Sequence, residues 1–227
     1  MRNAIEIGDG FIVTTDNSGG IGEKPGDMVA VPDRVTAYFA ARVALLEQWA
    51  SHAEPVTIII HNFSGSASWD KYVSGVSDLF QEAGLAVPPV SGSTETNMEL
   101  MQSAVAVTMI GRKKEWSSDT EATWFTYGTP LVGNEVIERK EEVASLRLLN
   151  QAMVGGIVQQ IWPVGSSGIL QEVRQMTGVE TAQVTTELDP TKSGGPATVV
   201  LVAIPIAKIT EAKVLFGALL NKIKIIN

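Results

Sequence analysis

A glycine-rich stretch near the N-terminus, residues 14–27, combines the residue types that bind phosphates and divalent cations. Its glycines, Gly19, Gly20 and Gly22, allow backbone amides to approach an anion closely, and Lys24 follows within reach of a phosphate oxygen. The spacing matches neither G-x-x-x-x-G-K-[ST] nor G-x-G-x-x-G. The stretch predicts a phosphate-and-magnesium loop, with an ordinary surface turn as the alternative, since turns favour the same residues for steric reasons.

Carboxylates around this stretch and in a second polar segment, residues 91–97, are candidate magnesium ligands, because Mg²⁺ prefers hard oxygen donors. The predicted ligands are Asp9, Asp16, Asp27 and Glu95. In the second segment, Thr94 and Asn97 are candidate nucleotide contacts. The alternative for this segment is a plain polar loop with capping residues.

Two further positions carry polar groups where ligands often bind. Asn62 ends a β-branched apolar run, residues 55–60, that predicts a buried strand, so its amide is placed to orient a ligand. Gly165 and Ser166 precede a short predicted helix. A helix N-terminus attracts anions, and it also needs a cap, which a serine supplies.

Composition excludes several classes of function. The chain has 227 residues, no cysteine and a net charge of −8, so disulfides, zinc–thiolate sites and cysteine nucleophiles are excluded, and nucleic acid is a poor partner. No apolar run reaches the roughly 18 residues of a membrane span. Neither serine-rich stretch has the G-x-S-x-G pattern of a nucleophile elbow, which argues against a serine hydrolase. We expect a cytoplasmic protein that acts on a small-molecule substrate.

The hydrophobic pattern predicts an α+β protein. Its first part begins with a strand, or two short strands meeting at residues 8–10, and contains two helices, one after Pro32 and one at residues 68–84. Residues 115–134 lack a clear period and predict a linker between a domain at 1–114 and one at 135–227. In the second domain we expect a long helix over residues 139–162, weakened at Gly155 and Gly156, and a terminal helix over 210–222.

Three segments in order resemble motifs of the aminoimidazole ribonucleotide synthetase (PurM-like) superfamily. Residues 16–24 resemble its Asp-Gly-x-Gly-x-Lys segment, residues 92–97 its Gly-Gly-Glu/Asp-Thr segment, and residues 193–198 its Ser-x-Gly-Pro-Ala-Thr segment. Within the superfamily, residues 41–47 and 163–169 are most similar to the α-ribazole kinase branch. The Asn-Asp pair that many relatives carry after the first segment is missing here, which removes one metal ligand.

The resemblance implies a two-domain α+β architecture whose N-terminal domain pairs across a homodimer, with a shortened C-terminal domain. It implies that ATP and Mg²⁺ are the cofactors and that the reaction is phosphoryl transfer to a small metabolite such as α-ribazole, in cobalamin lower-ligand salvage. Lys24 and the amides of Gly19–Gly22 would hold the phosphates, Asn62 would orient a ligand, and Gly165 and Ser166 would contact nucleotide or acceptor. The alternative is a nucleotide-binding protein that has lost catalysis and acts in assembly or regulation.

Overall fold

A computed structural model describes residues 3–115 and 120–226. The chain divides into two compact units, the first covering Asn3–Glu115 and the second containing the described residues 120–226. The elements of the first unit are β1 (Ala4–Ile7), β2 (Phe11–Gly19), β3 (Ile21–Gly22), β4 (Val29–Ala30), α1 (Asp33–Ala50), β5 (Ala53–Asn62), α2 (Trp69–Ala83), β6 (Val90–Thr94) and β7 (Ala104–Lys113).

The first unit is built on a mixed sheet with the strand order β1-β2-β7-β5-β6. Within this sheet β5 and β6 pair in parallel and the other neighbours are antiparallel, while β3 and β4 form a separate parallel pair. Helix α1 packs on β2 and β7, and α2 packs against α1. Because α1 contacts both the sheet and α2, which itself contacts β5, nearly all of the C-terminal half of α1 is buried, including Arg42 and Gln48.

Among the described residues of the first unit, no helix packs on the sheet face opposite these helices. Strand register places Ile5 opposite Val13 and Val13 opposite Ile110. All three belong to this face, because the neighbouring positions Ile12 and Met109 are buried on the helix side. We call it the uncovered face.

The elements of the second unit are β8 (Ala122–Gly128), α3 (Glu135–Glu138), α4 (Leu146–Val154), β9 (Gln160–Pro163), α5 (Gly168–Thr177), β10 (Gln183–Thr185), β11 (Val199–Pro205), α6 (Ile209–Phe216), β12 (Leu220–Lys222) and β13 (Lys224–Ile226). They form a separate antiparallel sheet with the order β12-β8-β11-β9 and a small β10–β13 pair. A buried cluster that includes Trp162, Ile169 and Leu201 forms part of the core of this unit.

The mixed α+β class and the helices of the first unit agree with the sequence analysis. Helix α1 begins at Asp33, directly after Pro32, and α2 ends before Gly84, whose φ of 72° is the left-handed C-terminal cap that glycine adopts without strain. The two N-terminal strands meet at Gly8–Gly10, the turn that the sequence indicated.

Long helices predicted in the second unit are wrong. Residues 139–162 contain a short 3₁₀ helix at Lys140–Glu142 and the helix α4, which ends at Val154, before Gly155 and Gly156, and the chain then forms strand β9. The terminal helix ends at Phe216, before Gly217 with φ 61°, and strand β12 follows. In both places, glycine and sheet pairing outweigh an apolar pattern that fits a helix.

Strand β8 lies within residues 115–134, where the sequence predicted a linker. Its aromatic and threonine residues pair with β11 along its whole length. None of the described helices has the length and hydrophobicity needed to cross a bilayer.

Candidate functional site: the glycine segment and its anchors

The predicted glycine loop begins inside a strand. Strand β2 continues to Gly19, so Asp16 and Gly19 pair with Val107 and Ala104 of β7 instead of lying in a loop. Asp16 is half-buried. The chain turns only at Gly20, whose φ of 71° suits glycine and whose amide donates to the Ser103 carbonyl at 2.8 Å. The segment that follows lies against residues 100–103.

Gly22 makes the closest approach in this segment. A Cβ at this position would lie 2.4 Å from Ser103 Oγ and 2.8 Å from Asp33 Oδ1. Its φ of 154° also lies in the region that favours glycine. Gly22 is therefore required for packing against two buried polar side chains.

Asp27 uses its carboxylate to fasten this segment to its neighbour. The Ser103 amide donates to Oδ1 at 2.7 Å, while the Ser103 hydroxyl and the Lys24 amide donate to Oδ2 at 2.8 and 2.9 Å. Although desolvation opposes ionisation, these hydrogen bonds lower the pKa of Asp27 below its ordinary value. Asp27 is thus an ionised structural anchor, and both of its oxygens are engaged.

Lys24 points its ammonium group at the same neighbouring segment. Its Nζ donates to the Leu100 carbonyl at 2.6 Å, and its side chain is half-buried. The Gln102 side chain adds a further hydrogen bond between the two segments by donating to the Gly26 carbonyl at 2.7 Å. The cation that the sequence assigned to phosphate is therefore held on a neutral carbonyl oxygen at the rim of the segment.

Glu23, Asp33 and Lys71 form a second anchor that the sequence analysis did not identify. The Glu23 amide donates to Asp33 Oδ1 at 3.2 Å, and the Asp33 amide donates to Glu23 Oε1 at 3.1 Å. Lys71 pairs with the other oxygen of Glu23, and this hydrogen bond and the Asp33 amide lower the pKa of Glu23. The sequence predicted that α1 starts at Pro32-Asp33, but it did not predict that Asp33 pairs with Glu23, ten residues earlier.

Asn62 is buried, and its amide is engaged within its own loop. Nδ2 donates to the Gly65 carbonyl at 2.8 Å and to Thr94 Oγ1 at 3.2 Å, and Oδ1 accepts from the Ser64 amide at 2.8 Å. Asn62 therefore joins the loop that follows β5 to Thr94 at the end of β6. Thr94 stays half-exposed beside it.

Glu95 stabilises the turn that follows β6. Its Oε1 accepts from the Asn97 amide at 2.6 Å and from the Met98 amide at 3.1 Å. The Asn97 amide is the main cause of the lowered pKa of Glu95. Glu95 is half-exposed and Asn97 is exposed, and their contacts fit the polar-loop alternative.

Asp9 lies at the far end of β2 from Asp27. It occupies the β1–β2 turn with a φ of 62°, and eight residue steps separate Phe11 from Gly19, a span of about 27 Å at strand rise. The four carboxylates predicted as ligands therefore do not converge. Among the described residues, no group of three or more His, Cys, Asp or Glu side chains could hold a metal, and the predicted set does not fit Mg²⁺ within one chain.

Gly165 and Ser166 belong to the second unit. The Gly165 amide donates to the buried Glu172 carboxylate at 3.1 Å, and its carbonyl accepts from Gly194 at 2.9 Å. Ser166 is exposed. Helix α5 starts after Ser167, but this serine makes no side-chain capping bond, so the predicted serine cap is absent.

Comparison with known proteins identifies the fold. No protein-family model matches the chain, and no curated protein matches it. Solved structures do match over nearly its whole length.

Three matching structures illustrate this likeness. A chain of the HypE–HypF complex has a TM-score of 0.63 and 12% identity over 98% of this chain and 87% of that chain. Thiamine monophosphate kinase (ThiL) from Aquifex aeolicus has a TM-score of 0.64 and 11% identity over 100% and 88%. The hydrogenase maturation protein HypE in complex with ATP has a TM-score of 0.62 and 10% identity over 97% and 78%.

This chain has the PurM-like fold. The match extends over both units of the described chain, which confirms the fold that the three sequence motifs implied. At 10–12% identity the likeness establishes architecture alone, so ligand and reaction are argued from the chain's own residues.

Proposed function

We propose that this protein binds ATP through the glycine segment, residues 19–27. The observation that carries the proposal is the anchoring of Lys24, Gly20 and Gly22 in one ordered segment beside Ser103. A fold neighbour, HypE, has been solved in complex with ATP. Together they support a preformed phosphate site at this edge of the first unit.

The contact made by Lys24 suits an exchange of partners. Its ammonium group donates to one neutral acceptor, the Leu100 carbonyl. Charge-assisted hydrogen bonds to a phosphate oxygen are roughly twice as strong as bonds to a neutral acceptor. ATP would therefore draw Lys24 from Leu100, while Asp27 and Ser103 continue to hold the segment in place.

The proposed reaction is phosphoryl transfer from ATP to a small metabolite, for which α-ribazole is the first candidate. The resemblance of residues 41–47 and 163–169 to the α-ribazole kinase branch supports this choice of acceptor. Such a reaction depends on positioning and charge stabilisation, with little covalent work by the protein. Since the predicted carboxylates are dispersed, the proposal assigns Mg²⁺ no ligands from this chain.

A second candidate is an ATP-binding protein without catalysis, acting in assembly or regulation. The observation that favours it is the engagement of Asp27, Glu95 and Asn62 in hydrogen bonds within the chain. Groups engaged in this way hold loops together. They are poorly placed to move a proton or bind a metal at a reacting centre.

We further propose that two copies pair through the uncovered face. Ile5 and Ile7 on this face are 65% and 46% exposed, and Val13, Ile59 and Ile110 are half-exposed. An apolar sheet surface of this kind marks an interaction site. The homodimer implied by the sequence resemblance would cover it.

The test of these proposals measures binding and turnover separately. ATP binding is measured by calorimetry with and without Mg²⁺, for the wild type, Lys24→Ala and the control Lys113→Ala. Lys113 is a surface lysine paired with Glu6, near the end of the sheet that carries Asp9. We expect Lys24→Ala to weaken binding while Lys113→Ala does not, and equal binding by both variants would remove the phosphate assignment.

Turnover is measured with labelled ATP, magnesium and a panel of acceptors containing α-ribazole, thiamine monophosphate and nucleosides. Transfer to an acceptor supports the phosphotransferase. Binding without transfer to any acceptor supports the non-catalytic alternative. Absence of any heat or thermal shift with ATP contradicts both.

A further inference from the structure

A depression in the first unit lies where the parallel strands β5 and β6 meet the start of α2. Its volume is about 380 Å³, and it is lined by Ser66, Trp69, Asp70, Gly92 and Thr94. This volume falls within the range of small-molecule sites. We call it the Trp69 depression.

Backbone packing keeps the strand side of the Trp69 depression free of side chains at one position. Gly92 pairs with Ile60 in the parallel ladder, and a Cβ on Gly92 would lie 2.0 Å from the Ile60 carbonyl oxygen. Only glycine fits beside this backbone, so position 92 adds no side chain to the lining of the depression. Thr94, two residues further on the same strand side, presents a hydroxyl.

The polar groups that line the depression have unused hydrogen-bonding capacity. Among the described residues, no hydrogen bond or ion pair involves the Asp70 carboxylate, the Ser66 hydroxyl or the Trp69 indole N–H. Thr94 Oγ1 accepts from Asn62 Nδ2 at 3.2 Å, which leaves its own proton available for a ligand. The depression thus offers three donors, one carboxylate acceptor and a half-buried indole.

This set of groups selects among ligand classes. A phosphate is disfavoured, because Asp70 places a negative charge in the first turn of α2. An ammonium ligand would satisfy Asp70 and the indole face, but it has no acceptor for the donors of Ser66, Trp69 and Thr94. A polyhydroxylated ring both donates to a carboxylate and accepts from hydroxyl and indole groups.

We infer that the Trp69 depression binds a neutral polyhydroxylated ring, a pentose or hexose. The ring would lie against the indole of Trp69, with neighbouring hydroxyls donating to Asp70, as carboxylates do with ribose hydroxyls in other folds. Ser66 and Thr94 would donate to ring or hydroxyl oxygens. The inference does not depend on ATP binding, since all five lining residues lie outside the glycine segment.

The test is a titration of the ¹⁵N-labelled protein with methyl β-D-ribofuranoside, followed through the indole N–H resonance of Trp69. The variant Trp69→Ala assigns this resonance, because the signal disappears from its spectrum, and the binding of Asp70→Asn is compared with that of the control Asp78→Asn. Asp78 lies on the same helix and forms a surface pair with Arg34. The spectrum of each variant also reports whether the fold is intact.

We expect the riboside to shift the Trp69 indole resonance in the wild type and in Asp78→Asn. Binding should weaken at least about tenfold in Asp70→Asn, because a charge-assisted hydrogen bond is lost. No shift with the riboside or with methyl β-D-glucopyranoside overturns the inference. A larger response to tetramethylammonium or inorganic phosphate overturns it as well, whatever the outcome of the ATP titrations.

Discussion

Replacing Gly22 by alanine should destabilise the first unit, because the added methyl group has no space. Its Cβ would lie 2.4 Å from Ser103 Oγ and 2.8 Å from Asp33 Oδ1. Ser103 and Asp33 are 1% and 2% exposed, so neither can move into solvent without breaking its own hydrogen bonds. Positive-φ strain adds about 1–3 kcal/mol, and overpacking adds about 1–3 kcal/mol.

The matched control is Gly19→Ala, three residues earlier. A Cβ on Gly19 meets nothing within 4 Å, and surface substitutions of this kind change stability by about 0.5 kcal/mol or less. For a loss of about 4 kcal/mol and a urea dependence of about 2 kcal/mol/M, the unfolding midpoint of Gly22→Ala falls by about 2 M. The midpoint of Gly19→Ala should stay near that of the wild type.

The assay is urea unfolding followed by circular dichroism, with hydrogen–deuterium exchange to locate the effect. Exchange should increase in Gly22→Ala across residues 20–27 and across 100–103, which the segment anchors. ATP affinity should fall with it, since Lys24 loses its fixed position. Coincident unfolding midpoints for the two variants would refute the reasoning that the close approach at Gly22 holds the segment.

Three further predictions concern ionisation, the second unit and assembly. The folded pKa of Asp27 lies below its unfolded value, so the stabilisation by this carboxylate is present above about pH 4 and disappears as pH falls through the folded pKa. In urea titrations, the difference in stability between the wild type and Asp27→Asn should therefore shrink from pH 7 to pH 3. A difference that stays constant over this range would contradict the prediction. Glu172 accepts hydrogen bonds from the Trp162 indole at 2.9 Å and from a backbone amide. The variant Glu172→Gln cannot accept through both side-chain atoms, so it should lower the free energy of unfolding by about 1–3 kcal/mol. Thermal unfolding measures this loss, and an unchanged melting temperature would contradict it. Ile110→Glu on the uncovered face should convert a dimer to monomers in light scattering without loss of fold, whereas a monomeric wild type would contradict the pairing proposal.

Much of the first unit was predictable because its signals are local. Proline before Asp33 starts α1, and Gly84 ends α2 by adopting a left-handed conformation. The second unit was less predictable, because apolar residues around residues 155–162 fit a helix as well as a strand. Pairing with β11, some forty residues away, decided for strand β9.

The candidate site divides in the same way. The sequence identified the glycine segment and Lys24, because glycines let backbone amides approach an anion closely and the lysine beside them carries a positive charge. It did not identify Ser103 as the partner of both Gly20 and Asp27, because that contact joins residues 76 positions apart in the case of Asp27.

The sequence by itself determined the residue types, the caps and the order of motifs that indicate a PurM-like fold, because these depend on neighbours along the chain. Only the tertiary structure decided which polar groups meet. Asp9 precedes the glycines of the segment in sequence and Asp27 follows them, yet the two carboxylates lie near opposite ends of strand β2, which is about 27 Å long. Strand β2 extends through the first part of the segment that looked like one loop, as far as Gly19, and this separates Asp9 from Asp27.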